Sequence, residues 1–200
     1  ALLHHDEELS FLPRAGIVHR LDKDTSGVMV VAKNEFSYLN LVSQLKERKV
    51  NRHYLAIVVG EPLSGSTINE PIGRHPKLRT KQAVTDAGKE AITNFRIKER
   101  MGGCSLLNVS LETGRTHQIR VHLAFINFPI LGDSVYGGRK KFAARTTEAA
   151  KKEILKFPRQ ALHAEKLEFI HPKSGKKVNY SAKTPKDLLQ LIELLKNLNE

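Results

Sequence analysis

The stretch GIVHRLDKDTSGVMVVAK, residues 16–33, sets a dense run of ionisable side chains between two apolar ones. Ile17 and Val18 make a short β-branched run, and Val28, Met29, Val30, Val31 and Ala32 make a longer one that predicts a strand buried on both faces. Between them come His19, Arg20, Asp22, Lys23, Asp24, Thr25, Ser26 and Gly27, so the whole reads as strand, loop, strand. A loop held between buried strands is placed rigidly, and clustered ionisable groups on it mark a candidate site centred on Asp22. Asp24, Thr25 and Ser26 are expected to hold the loop's shape through backbone hydrogen bonds. The spacing alone leaves a second reading open, a solvated hairpin loop without chemistry.

Around this stretch the chain has 200 residues, 40% hydrophobic and 27% charged, enough for one sizeable core, and one domain is expected. No apolar run reaches the length that spans a bilayer, and the opening ALLHHDEELS lacks the basic and apolar regions of a signal peptide, which predicts no membrane association and a cytoplasmic location. The single cysteine, Cys104, excludes an internal disulfide, and its setting in GGCSLLNV makes it a small strand residue. A net charge of +12, spread along the chain, suits a surface that attracts polyanions, although solubility alone also accounts for such a balance. Aromatic content of 6% without tryptophan argues against a stacking platform for single strands.

Downstream, Asn34 is placed to cap a helix whose packing face is Phe36, Leu39, Val42 and Leu45, followed by a basic run of Lys46, Arg48, Lys49 and Arg52. Residues 53–60 read as a strand. Residues 62–79 are rich in turn formers and lead into GRHPKLRTKQAV, an exposed basic hairpin carrying Arg74, His75, Lys77, Arg79 and Lys81. Residues 90–99 and 104–111 alternate as two antiparallel strands joined at Met101-Gly102-Gly103. The second strand delivers the chain to residues 112–122, which precede an apolar helix from Leu123.

His117, His122 and Asp133 invite a metal reading, but an i, i+5 histidine pair does not share a helical face and one cysteine offers no thiolate site, so no metal is expected. Residues 139–156, basic and alanine-rich, predict a surface excursion with a short helix. Residues 159–180 form a hairpin through Leu167 and Phe169 that turns at residues 171–175 and returns through Val178 and Tyr180. Leu188, Leu189, Leu191, Ile192, Leu194 and Leu195 then mark an amphipathic terminal helix. Several hairpins and few β-α-β patterns predict an α+β fold with a mixed, largely antiparallel sheet flanked by helices.

Five segments carry a resemblance. HRLDKDTSG resembles the signature of the RluA family of pseudouridine synthases, and NRHYLAIVVG resembles its Arg-x-Tyr-x-Ala motif. TGRTHQIRVHLA is similar to the family's third motif, PILGDSVYGG and RQALHAEKLEFIHPKSG to later elements, all in the family's order. The resemblance implies the pseudouridine synthase fold with a central active-site cleft, and isomerisation of specific uridines in RNA: the N1–C1′ bond is cut, the uracil turned, and a C5–C1′ bond made. It assigns Asp22 as catalytic, Arg120 as its pairing partner, Tyr54 as the ring that stacks on the flipped base and helps remove the C5 proton, and Leu162 as a base-pocket residue.

Arg20, His19, Arg115 and His117 then join Arg74, His75, Lys77, Arg79 and Lys81 as RNA contacts, with Arg20 entering the space the base vacates. Because product and substrate are isomers, no cofactor is expected, and the protein is expected to be a monomer. EPIGRHPKLRTKQAV resembles the RluD-like branch, whose target is large-subunit ribosomal RNA; a transfer-RNA synthase of the same family and a non-catalytic RNA-binding ribosome-assembly factor are the alternatives. The resemblance also predicts residues 1–15 as a connecting segment and residues 16–200 as the catalytic domain, with the family's S4 domain and first catalytic strand absent, as in a fragment of a longer protein.

Overall fold

Alternating and β-branched runs supply nine strands among the residues that the computed structural model describes, 2–137 and 148–197. In chain order these are β1 (Ser26–Gly27), β2 (Asn51–Val59), β3 (Ser66–Asn69), β4 (Ile72–Arg74), β5 (Gln82–Val84), β6 (Ile92–Met101), β7 (Cys104–Leu111), β8 (Leu162–Ile170) and β9 (Lys177–Ser181). The helices are α1 (Leu2–His5), α2 (Glu35–Lys46), α3 (Gln118–Phe125), α4 (Glu148–Lys156) and α5 (Lys186–Asn197). Strands run in the order β1-β8-β2-β7-β6-β3, with β9 also paired to β8, and β4-β5 form a separate ribbon. Among the described strands β1 pairs with β8 in parallel and every other pairing is antiparallel, the mixed α+β sheet expected from the hairpin-rich sequence.

The centre of the sheet is the dry part. β2 is buried at every position from Tyr54 to Val59, so both of its faces are covered, and it packs with Leu107 and Val109 of β7 against α3, α4 and α5. Leu188, Leu191 and Leu195, at helical spacing, seat α5 on this core, while Leu189 stays half-exposed on the outer side. Cys104 lies inside it, and burial pushes its thiol up to about 12, which keeps it an inert packing residue.

Three sequence expectations change. Residues 28–32 are not a strand buried on both faces: Ile17 and Val31 make one isolated bridge, Met29 is 36% exposed and only Ala32 is buried, because this segment runs along the sheet's edge. α2 is capped as expected, Asn34 Oδ1 accepting from Ser37 N–H at 2.9 Å. Its packing face is Tyr38, Leu41 and Leu45 against Leu167 and Phe169, however, leaving Phe36 and Leu39 outside. Within the connecting segment the chain forms α1 and short 3₁₀ turns kinked at Arg14 and Ala15, with Leu9 buried and Asp6 paired to Lys33 at 2.9 Å. The apolar helix begins at Gln118, not Leu123, so the charged motif is part of it. The short helix expected within residues 139–156 is α4; the rest of that excursion, residues 139–147, lies outside the described residues.

Candidate active site

The loop that bears Asp22 is built locally and then clamped from β8. Thr25 N–H donates to the Asp22 carbonyl at 3.0 Å, closing a tight turn with Asp24 at φ +68°, a left-handed conformation that a short polar side chain tolerates. From the approach to β8, Gln160 Nε2 donates to the Lys23 carbonyl at 2.6 Å and to Thr25 Oγ1 at 3.0 Å. Arg159 Nη1 reaches the Asp24 carbonyl at 3.3 Å while Asp187 holds its other edge at 2.8 and 3.0 Å. Ser26 Oγ meets His163 Nδ1 at 3.0 Å. The loop therefore takes its shape from these side chains more than from backbone bonds made by Asp24, Thr25 and Ser26. Gly27, at φ +127°, passes so close to the Ala164 backbone that a Cβ has no room there.

Arg120, on the first turns of α3, stands between two carboxylates. Its Nε and Nη2 form a bidentate pair with Asp133 at 2.7 and 3.0 Å, and its Nη1 reaches Asp22 Oδ2 at 3.3 Å. The side chains of Arg120, Asp133 and Asp22 are 6%, 0% and 15% exposed, so the pair that fixes the guanidinium is the buried one with Asp133. Burial alone would raise the Asp133 carboxyl, but the Arg120 bonds and charge and the N–H groups of Tyr136 and Val135 outweigh it and hold it below the usual carboxylate range. Burial likewise works against the charge on Arg120, and the two carboxylates reverse that. The Tyr136 ring lies under the guanidinium, its centroid 5.0 Å away.

Tyr54, 8% exposed on β2, and Leu162, buried at the start of β8, line the same cleft as Asp22 and Arg120, a cavity of about 610 Å³. Opposite Tyr54, β8 is bulged at Glu165, a local kink of the kind found beside active sites. Burial pushes the Tyr54 phenol above its ordinary value, with Arg52 opposing and Asp22 adding to the rise, so near neutral pH it carries its proton. The residue that sequence reasoning expects to help remove the C5 proton is thus placed here as a ring and a protonated hydroxyl.

The expected RNA contacts divide. Arg20 and Arg115 are exposed at the cleft, Arg115 Nε donating to the Glu90 carbonyl at 2.9 Å. His19 also lines the cleft: its Nε2 accepts the Val30 N–H at 3.2 Å, and burial with the nearby Arg52 charge lowers its pKa to about 4, so the ring is neutral near neutral pH. His117, in the left-handed region at the cap of α3, shares Tyr136 Oη at 2.8 Å with the Gln82 N–H. Burial lowers its pKa as well, against the pull of Asp22.

On the β4-β5 ribbon, Arg74, Lys77 and Arg79 are exposed as expected. His75 instead closes the turn by accepting from the Lys77 and Leu78 N–H groups, and Lys81 anchors the ribbon through the Val135 carbonyl at 2.7 Å. None of these five lines the Asp22 cleft. His122 uses both ring nitrogens on Thr93 Oγ1 and the Glu70 carbonyl, each at 2.9 Å, pointing away from the cleft as the i, i+5 spacing implies.

Three residues beyond the expected site set also shape it. Asp133 lies within PILGDSVYGG, where an acid between Gly and Ser in an apolar setting is the available signal. Gln118 ties Thr113, Arg115, Ile92 and Thr93 together beneath the loop that enters α3. Arg52, the last residue of the basic run and the Arg of the Arg-x-Tyr-x-Ala segment, is 8% exposed and lines the cleft.

With this geometry in hand, similarity to known proteins is extensive. The sequence profile of a family described as RNA pseudouridylate synthase matches residues 6–125. Ribosomal large subunit pseudouridine synthase D of Xanthomonas campestris pv. campestris is 52% identical over 98% of this chain and 59% of its own length; those of Pseudomonas aeruginosa (49%, over 100% and 62%) and Escherichia coli K12 (48%, over 98% and 60%) are similar. The chain spans about three-fifths of the length of these curated relatives. Among solved structures, Human RNA Pseudouridylate Synthase Domain Containing 1 superposes with a TM-score of 0.71 at 27% identity, covering 90% of this chain and 72% of that one. Domain Containing 4 gives 0.73 at 26% identity, covering 90% and 75%.

Proposed function

The chain belongs to the RNA pseudouridylate synthase family, and from that premise we propose that it isomerises specific uridines of large-subunit ribosomal RNA to pseudouridine. The observation that carries this reading is the Asp22 carboxylate held by a buried Arg120, beside Tyr54 and Leu162, in a cleft of nucleotide size. The ribosomal target rests on the names of relatives about half identical to the chain. A transfer-RNA target and a role in ribosome assembly without catalysis are less well supported, the latter because Asp22, Tyr54 and Arg120 are together in one cleft.

Chemistry at C1′ and C5 of a uridine requires the base to leave its stack, at a cost of a few kcal/mol. Phosphate contacts from Arg74, Lys77 and Arg79 offset that cost, and Arg20 at the cleft mouth enters the vacated space. The base then lies between Tyr54 and Leu162, and Asp22 acts on sugar or ring while Arg120 keeps the carboxylate aimed and charged. Arg120 is itself held by Asp133, so it cannot swing after the substrate. Breaking N1–C1′ and making C5–C1′ needs no oxidant, energy source or metal. The protein works on its RNA in the cytoplasm, as a monomer; the described helices include none long and apolar enough to cross a membrane.

The test is Asp22→Asn, which removes the charge and keeps the size. Release of tritium from C5-labelled uridine in ribosomal RNA is expected to vanish while RNA binding persists; substantial residual turnover refutes the assignment. Primer-extension stops after carbodiimide treatment of the RNA identify the uridines modified, and transfer-RNA stops without ribosomal ones would redirect the target.

A further inference from the structure

Among the described residues, Arg52 is a buried cation with no counter-charge. It is 8% exposed, its Nε has no hydrogen-bond partner, and its Nη2 makes a long 3.4 Å bond to the Glu112 carbonyl. The carboxylates that could neutralise it are engaged elsewhere: Glu112 Oε1 accepts from Asn94 Nδ2 at 2.9 Å, Asp22 and Asp133 face Arg120, and Glu90 pairs with Arg48. His19, the nearby titratable ring, is neutral. Leaving a guanidinium desolvated and unpaired is among the costlier arrangements in a folded protein. A fold retains it only where something else supplies the missing anion.

The position says what that anion is. Arg52 and Tyr54 are two residues apart on β2, so both side chains leave the same face, about 6.7 Å apart along the strand. One ribose separates a nucleotide's base from its phosphate, a span comparable to that between two side chains two residues apart on a strand. Gly114 leaves room beside it: a Cβ there would meet Arg52 Nη1, so a larger residue would push the guanidinium from its present place. Two further cations that line the cleft, Arg20 and Arg115, are exposed and suit the phosphates on either side.

We propose that Arg52 receives a phosphate flanking the uridine that occupies the cleft, as the buried end of a phosphate track whose exposed part is Arg20 and Arg115. This rests on the RNA-isomerase reading above and extends it by naming the group that seats the flipped nucleotide's backbone. Binding then completes the hydrogen bonding of Arg52, so seating the right nucleotide relieves a penalty built into the free protein.

The experiment has two arms. First, the wild-type chain is incubated with large-subunit ribosomal RNA and the modified uridine is mapped by carbodiimide and primer extension; no pseudouridine there or in transfer RNA overturns the functional reading, and this proposal with it. Second, a short RNA spanning the mapped uridine is made with ordinary linkages or with neutral methylphosphonates on both sides of it. Arg52→Gln is expected to raise KM roughly ten- to a hundredfold, more than it lowers kcat, and to flatten the slope of log affinity against log salt by about 0.7–0.9.

The neutral linkage is expected to raise the wild-type KM by a similar factor and to move Arg52→Gln much less, since only the contacts of Arg20 and Arg115 remain to be lost, with Arg52→Lys intermediate. Pseudouridine formation by the wild type together with equal effects of the neutral linkage on wild type and Arg52→Gln overturns the assignment of Arg52 alone. Should Arg52→Gln fail to fold, Arg52→Lys takes its place: an equal effect of the neutral linkage on it and on the wild type is a refutation, and a smaller effect on Arg52→Lys supports the site.

Discussion

Replacing Asp133 with asparagine tests how the Asp22–Arg120–Asp133 array is held. Asp133 is fully buried and makes two bonds to Arg120 at 2.7 and 3.0 Å, whereas Asp22 is 15% exposed and makes one at 3.3 Å. Breaking a buried ion pair by neutralising one partner leaves the other charge uncompensated, worth about 3–5 kcal/mol. Asparagine keeps an oxygen for the Val135 and Tyr136 N–H groups, so the lower end, about 3 kcal/mol, is the expected loss. Asp22→Asn leaves the bidentate pair intact and is expected to cost about 1 kcal/mol or less. With a urea slope of about 2 kcal/mol per molar, the unfolding midpoint moves down by about 1.5 M for Asp133→Asn and by under about 0.5 M for Asp22→Asn. Both variants are expected to lose pseudouridine formation, Asp22→Asn by removing the reacting group and Asp133→Asn by releasing Arg120. Equal midpoint shifts for the two variants, or full activity in Asp133→Asn, would refute the claim that Asp133 holds Arg120 in place.

Two further outcomes follow from the same geometry. His19 binds its proton more weakly folded, at about 4, than at its ordinary 6.5, so the unfolded chain gains protons first as pH falls and stability is lost between 6.5 and about 4. The loss amounts to at most about 3 kcal/mol, and chemical denaturation of His19→Gln across that window is expected to show a shallower decline than the wild type; parallel curves would contradict it. Neutralising the exposed ribbon cations together, Arg74→Gln, Lys77→Gln and Arg79→Gln, is expected to weaken RNA binding and to flatten its salt slope by about 0.7–0.9 for each phosphate no longer neutralised, with thermal stability held. An unchanged salt slope would remove the ribbon from the RNA interface.

What the sequence determined is what short-range chemistry determines. The Asn34 cap, the β6-β7 hairpin across Gly102 and Gly103, the basic ribbon and the 3.6-residue rhythm of α5 are set by residues a few places apart, so they were legible in order of reading. Asp22, Tyr54, Arg120 and Leu162 were legible through their motifs, each a local pattern, and the four line one cleft. Exposure was not legible in the same way. Phe36 and Leu39 carry the apolar spacing of a packing face yet point outward, because the sheet edge that α2 meets presents Leu167 and Phe169 to Tyr38, Leu41 and Leu45 instead. Residues 28–32 have the composition of a central strand and lie at an edge for the same reason: strand order is a property of the whole sheet.

The partners of charged groups depend on tertiary structure most of all. Nothing local shows that His19 Nε2 accepts a backbone N–H eleven residues away or that burial keeps the ring neutral. The Arg-x-Tyr-x-Ala segment sets Arg52 apart from Lys49, but only the fold shows that Arg52 is desolvated at the cleft wall while Lys49 pairs with Glu47 near the surface. Type and order of residues settle which chemistry a chain can carry. Which of its charges are paired, which are buried, and which remain for a substrate is settled only when segments distant in sequence close around them, because desolvation and Coulomb interaction depend on distance in space.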